Sequence, residues 1–312
     1  MLEAFYNRIK NGFAIMLQAF QLMHQHKTFY WLALLLMGSY AAILSALSSC
    51  FFYFITSTVW HRVTTGTNNI AYEGTIDPTL FMRILGMLLI TLFIHALWKN
   101  ILEITVSTYA AAAMHNDYAQ LSVGRAFIRT FSALWYIVCW VLLNITIGFV
   151  ISAVSGGNPN EKNFSIIDWL RQMLGSMLSM AWSICTFLVP QVIAFEGTGA
   201  INSIKISFNL IKQTFGESLS ANFIFSAFYS AIGLMVGLCA FLCSLFIVPS
   251  PTGSLHFPLI PSVLFVLVLL GAAFTIAAIT VARMIFKTSI YFYAKNKECI
   301  GFDASLISQS FR

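Results

Sequence analysis

Six stretches of this chain are too long and too apolar to be hidden in a water-soluble core. They cover residues 29–55, 80–114, 133–153, 166–193, 219–248 and 263–293, and are bounded by polar or Gly- and Pro-bearing segments such as TTGTNN, SGGNPNEKN and VPSPTGSLHFPLIP. Each exceeds the ~18 near-continuous apolar residues that mark a membrane-spanning helix. Lipid offers the backbone no hydrogen-bond partner, so runs of this length cross as helices; the alternating ten-residue segments of a barrel are not visible. The expected fold is an all-α polytopic membrane helix bundle of six transmembrane helices. Hydrophobic residues make up 59% of the chain and charged residues 9%, against roughly a half and about a quarter in soluble domains. Residues 1–312 therefore read as a single integral membrane domain with no soluble domain beside it.

An even number of spans puts both termini on one side, and the basic residues indicate which. Arg8, Lys10 and Lys27 precede the first span, Arg125 and Arg129 follow the second, and Lys205 and Lys212 follow the fourth. Arg283, Lys287, Lys295, Lys297 and Arg312 lie at or beyond the end of the sixth, whereas Arg62, Arg83, Lys162 and Arg171 fall on the other side. The positive-inside rule then makes both termini cytoplasmic. This topology accounts for the net charge of +6, so no nucleic-acid partner is needed to explain it. The segment after Arg8 and Lys10 lacks a compact apolar stretch with a small-residue cleavage site, and no cleaved signal peptide is expected.

The basic connectors have a pattern of their own. In GAINSIKISFNLIKQTF, Ala200, Ile204, Phe208, Ile211 and Phe215 recur at helical steps, with Asn202, Lys205, Asn209, Lys212 and Gln213 opposite. That is the pattern of a helix lying in the membrane interface, its cations reaching anionic headgroups. The N-terminus repeats it, with Phe5, Ile9, Met16, Phe20 and Met23 on one face and Arg8 and Lys10 available to lipid. A shorter version is GRAFIRTFSALW, where Phe127, Phe131 and Leu134 face away from Arg125 and Arg129. Three cytoplasmic interfacial helices, each followed by two spans, divide the chain into units 1–117, 118–196 and 197–312, consistent with a threefold internal repeat.

One polar group interrupts the second span. A helix over residues 80–114 would be about 52 Å long, beyond the roughly 30 Å hydrocarbon core, so His95, Lys99 and Glu103 fall toward its inner end. Spaced by four, they lie along one side of the helix. Lys99 and Glu103 can pair with each other; Arg283 and Lys287 of the sixth span can also meet Glu103 and clamp the two helices. The functional reading is a proton- or ion-handling site facing the bundle interior; the structural reading is a snorkelling lysine with its counter-ion, a histidine near the interface and Trp98 in the aromatic belt.

Other motifs carry less chemistry. Pro190 should kink or end the fourth span, and Glu196 and Gly197 should open the following helix, the carboxylate favoured at a helix N-terminus. Of Cys50, Cys139, Cys185, Cys239, Cys243 and Cys299, five sit in or beside apolar runs, where a thiol packs as a small hydrophobe; no disulfide or metal role is expected. Asn163 opens a glycosylation tripeptide. No zinc-protease, phosphate-loop or nucleophile-elbow motif occurs, so neither cofactor nor enzymatic activity is expected.

The stretch FLVPQVIAFEGTGAINSIKISFNLIKQTFGESL resembles the signature of a family of uncharacterised bacterial six-span membrane proteins. Val189, Pro190, Glu196, Gly197, Ser207, Gly216 and Glu217 match it; Ser203 stands in place of an alanine and Phe215 in place of the usual tryptophan. The C-terminus is similar to the family's ending at Tyr291, Tyr293, Ala294, Phe302, Asp303 and Phe311, and departs at Ile300 and Gly301, where a proline is more usual. The resemblance implies a bacterial inner-membrane location and a six-helix bundle, but no substrate. More loosely, the layout is similar to the membrane domains of some glycerophosphodiester phosphodiesterases, without their catalytic domain. The expected function is a non-enzymatic membrane protein that binds anionic lipid headgroups or other membrane proteins; the alternative is a small-solute or ion transporter using His95, Lys99 and Glu103.

Overall fold

A computed structural model describes residues 2–64, 78–115, 122–155, 166–213, 215–244, 248–249, 255–256 and 259–295. Among them the chain is helical almost throughout. The helices are α1 (Leu2–Gln25), α2 (Thr28–Thr64), α3 (Pro78–Met114), α4 (Val123–Ser132), α5 (Leu134–Ser155), α6 (Ile166–Cys185), α7 (Val189–Glu196), α8 (Ala200–Gln213), α9 (Phe215–Ser244) and α10 (Leu259–Ala294). A two-residue antiparallel ladder, β1 (Val248–Pro249) with β2 (Leu255–His256), lies between α9 and α10. Six segments are long and apolar enough to cross a membrane: Thr28–Cys50, Met82–Met114, Leu134–Ser155, Leu170–Glu196, Phe223–Leu242 and Val263–Ala294. The fold is thus an all-α bundle compatible with a multi-pass membrane protein.

Ring and hydrogen-bond contacts show how the long helices run. Phe29 meets Tyr109 and Tyr40 meets His95, so α2 and α3 are antiparallel. Phe225 on Phe286 and Tyr229 on Thr280 make α9 and α10 antiparallel. Helices α5 and α6 approach closely where Gly175 faces Ser155: a Cβ on Gly175 would lie 2.6 Å from Ser155 Cβ and 3.0 Å from its Cα. Small residues at such crossings let membrane helices approach without a hydrophobic driving force.

Burial is unevenly distributed along these rods. The core consists of residues 29–36 of α2, 101–114 of α3, 137–141 of α5, 187–194 around α7 and 272–292 of α10, joined by Met16, Ala19, Leu22 and Met23 of α1. Elsewhere the same helices expose large apolar side chains, among them Leu44, Ile90, Phe149, Met177, Leu234 and Leu267. Because the paired helices alternate in direction, the buried halves gather at one end of the bundle and the exposed halves at the other. We call these the packed end and the open end. Leu234 at the open end is 76% exposed, which suits a lipid-facing residue and would be costly in water.

Three differences from the sequence expectations have clear causes. First, the interruption expected at Pro190 comes just before it: α6 stops at Cys185, residues 186–188 turn, and α7 restarts with Pro190 in its first turn. Proline lacks a backbone donor and is tolerated there because first-turn donors have no intrahelical partner. Second, Glu196 closes α7 and does not open α8, and Gly197 is its C-cap at φ 60°. Glycine adopts this left-handed conformation without the Cβ penalty. Third, α8 follows the hydrophobic periodicity only in part: Ala200 and Ile211 of the expected apolar face are buried and Asn202, Lys205, Asn209 and Lys212 opposite are exposed, but Ser203, Ser207 and Leu210 are buried too, and Phe208 is exposed with Ile201.

Candidate functional site

The packed end holds two ion pairs that tie α10 to distant parts of the chain. Lys287 Nζ donates to Glu103 Oε1 at 2.7 Å, linking α10 to α3, with only 13% and 9% of the two side chains exposed. The ammonium also sits 5.0 Å above the Phe187 ring at the α6–α7 break, a cation–π contact worth most where water is excluded. The second pair joins Lys295 Nζ to Glu196 Oε1 at 2.9 Å, and the Tyr291 hydroxyl donates to the same oxygen at 3.0 Å. Glu196 is at a helix C-terminus, the wrong end of the dipole for a carboxylate. Lys295 and Tyr291 supply what the helix does not.

Of the three candidates on the second span, the structure gathers two at one charge cluster and puts the third at its edge. Glu103 pairs with Lys287 of α10, the second of the two partners the sequence offered, and not with Lys99 on its own helix. Lys99 is exposed, yet its charge acts on Glu103, Lys287 and Tyr229, and so does that of Arg283. His95 is half-buried against the Tyr40 ring, 5.2 Å between centroids. Tyr40 is close enough to Glu103 and Tyr229 to feel both. Tyr229 shares a 2.9 Å hydrogen bond with Thr280, whose own hydroxyl proton goes to the Ile276 carbonyl, so the tyrosine is the donor. Helices α3 and α10 thus supply the charged groups around Glu103, and α2 and α9 border them with Tyr40 and Tyr229.

A second polar network had no local signal in the sequence. The Trp140 indole donates to Asn100 Oδ1 at 3.1 Å, stacks on Trp182 at 6.2 Å, and the Trp182 indole donates to Asn144 Oδ1 at 2.9 Å. These bonds fasten α3, α5 and α6 side by side. Near them Gln191 is fully buried: its amide nitrogen donates to Ser107 Oγ at 3.2 Å, while Oε1 has no partner among the described residues. The signature serine is explained by the break in the fourth run. Phe187 N–H takes the Ile184 carbonyl, and Leu188 N–H turns instead to Ser207 Oγ of α8 at 3.2 Å. Ser203 closes the start of the same helix by bonding to Thr198.

The remaining candidates are placed as follows. Arg125 and Arg129 are exposed on α4, which buries Ala126 and Thr130 against α3 while Ile128 (72% exposed) and Phe131 are exposed as well. Lys212 Nζ lies 4.7 Å over the Phe208 ring on the outer side of α8. Arg8 and Lys10 lie on α1, and Gly216 and Glu217 on the first turn of α9. Asn163, Phe302 and Asp303 lie outside the described residues. Cys50, Cys139, Cys185 and Cys239 are free thiols, and among the described residues no three of His, Cys, Asp and Glu gather as metal ligands.

These observations define a helical bundle compatible with a multi-pass membrane protein, held at one end by two ion pairs and tryptophan–asparagine bonds. The chain belongs to a family of unknown function (DUF6159), whose model matches residues 84–302. That span includes Glu103, Lys287, Glu196 and Ser207, and leaves α1 and α2 outside it. No curated protein matches the chain.

Proposed function

We propose that this is a non-enzymatic, multi-pass protein of the bacterial inner membrane, with both termini cytoplasmic, that engages anionic lipid headgroups and through them organises neighbouring membrane proteins. The observation that carries this reading is the outer side of α8, where Ile201, Lys205, Phe208 and Lys212 are exposed together. Apolar side chains and cations side by side suit the boundary between acyl chains and headgroups, where the first enter lipid and the second reach phosphate. Helix α4 repeats the arrangement with Arg125, Ile128, Arg129 and Phe131. Each such cation gains about 1 kcal/mol from an anionic surface. The likeness to the membrane domains of glycerophosphodiester phosphodiesterases is one of layout and brings no activity to this reading. Transport through Glu103 is the weaker reading, because that carboxylate is held by Lys287 and nearly enclosed.

The test is Lys205→Glu with Lys212→Glu, extracted from the membrane in mild detergent. We expect the variant to retain at least threefold less anionic lipid than the wild type, with zwitterionic lipid unchanged, and to lose co-purifying membrane proteins. Equal anionic lipid and the same partners in both preparations would defeat the proposal.

A further inference from the structure

We infer that Trp31 and Trp135 seat the packed end in the glycerol and ester layer of a phospholipid leaflet, each indole N–H donating to a lipid carbonyl. The inference deepens the lipid reading above and rests only on its membrane setting, not on the cations of α4 and α8. Trp31 is 70% and Trp135 73% exposed, and neither indole donates a hydrogen bond among the described residues. Trp140 and Trp182, by contrast, each donate to an asparagine. An indole combines a large apolar body with one donor. Deep in hydrocarbon that donor goes unsatisfied, and in water the ring is left bare. The boundary where acyl chains meet carbonyl oxygens answers both needs.

The two tryptophans stand at nearly one height although they lie on separate helices. Trp31 follows Phe29 by two residues, and the Phe29 ring meets Tyr109 of α3 at 5.0 Å. Trp135 falls between Thr130, which bonds to Thr105 of α3 at 3.1 Å, and Trp140, which bonds to Asn100. Both therefore lie beside the stretch of α3 from Asn100 to Tyr109. The same contacts put α4 at this height, and the bonds from Gln191 to Ser107 and from Leu188 to Ser207 put α8 there too. Another level marks the open end: Arg83 and Arg171 are exposed, and so is Tyr53. Tyr53 lies 13 residues beyond Tyr40 and Arg83 lies 12 before His95, and the rings of Tyr40 and His95 meet, so the two share a height. From Arg83 to Thr105 the helix rises about 33 Å, close to the roughly 30 Å of a hydrocarbon core. Between these levels the exposed side chains of α3 are apolar except Lys99, whose long stem brings its ammonium back toward the boundary. Trp98 is half-buried against the core and takes no part in the belt. The Glu103–Lys287 pair then lies just inside the boundary and Glu196–Lys295 outside it.

The experiment is fluorine NMR of the full chain, labelled with fluorotryptophan, in nanodiscs of phosphatidylethanolamine and phosphatidylglycerol. Single replacements such as Trp31→Phe and Trp135→Phe assign the signals. Relaxation is compared for lipid carrying a nitroxide near the carbonyl end of its chain, lipid carrying it near the methyl end, and a water-soluble gadolinium chelate. We expect Trp31 and Trp135 to be relaxed about threefold more by the carbonyl-end label than by the methyl-end label, and the enclosed Trp140 weakly by all three. In ether-linked lipid with the same headgroups, which lacks the carbonyls, the fluorine shifts of Trp31 and Trp135 should move and that of Trp140 stay. Stronger relaxation by the methyl-end label, or shifts that do not move, overturns the inference and leaves the lipid reading above in place. Relaxation by the chelate alone overturns both. The variant Lys205→Glu/Lys212→Glu should keep the pattern; a pattern lost there belongs to the α8 cations and overturns this inference alone.

Discussion

At the scale of single residues, the pair Glu103–Lys287 illustrates how little freedom a buried charge has. Removing one partner strands the other, which costs about 3–5 kcal/mol, whereas replacing both by apolar groups is often neutral. We therefore expect Lys287→Met to lower unfolding stability by about 3 kcal/mol, the low end because Lys99 and Arg283 still act on Glu103. The double variant Glu103→Leu/Lys287→Met should regain most of that loss. Denaturation in mixed detergent micelles measures both, and a double variant as unstable as the single one would contradict the account. The sequence already offered Lys287 and Lys99 as alternative partners for Glu103. Spacing on one helix favours i,i+4 neighbours, but it does not say which neighbour on another helix stands 184 residues away. The tryptophan–asparagine bonds were illegible for the same reason: their partners are 40 and 38 residues apart, and neither asparagine interrupts its apolar run enough to draw notice.

Among the elements, the broken fourth run and α8 form one unit. The break frees Leu188 N–H, and a serine one helix later accepts it; an unsatisfied buried donor costs about 1–3 kcal/mol. We predict that Ser207→Ala destabilises the protein by about that amount in the same denaturation assay and that Ser207→Thr, which keeps an acceptor, loses less. A silent Ser207→Ala would show that the donor has another acceptor. The position of this helix was readable from its periodicity, but its orientation only in part. Hydrophobic periodicity assumes that apolar residues turn toward protein because the alternative is water. In α8 Ala200 and Ile211 turn inward as that assumption requires, but the small polar residues Ser203 and Ser207 turn inward with them to bond, while Ile201 and Phe208 turn out.

For the whole molecule, the contrast between the packed and open ends sets the expected depth in a bilayer. Single cysteines placed at Ile90, Leu234 and Leu267 in a background without native thiols should be inert to a water-soluble maleimide in proteoliposomes and reactive in the unfolded protein. One placed at Asn202 should label in both. Labelling of all three open-end positions in the intact vesicle would mean that this half is wet. Six apolar runs were enough to read the number of helices long and apolar enough to cross a membrane and the helical class, because backbone desolvation permits few alternatives. Which half of each rod is packed depends on contacts between helices far apart in sequence, and no window of residues encodes that. The long separations also bear on biosynthesis. Ribosomes add roughly 5–20 residues per second, so a carboxylate at position 103 waits about 10–40 s for an ammonium 184 residues downstream. During that interval the nascent second span carries an acid that only Lys99, the insertion machinery or a bound proton can neutralise, and a ribosome stalled before position 287 would leave behind a fragment marked for proteolysis.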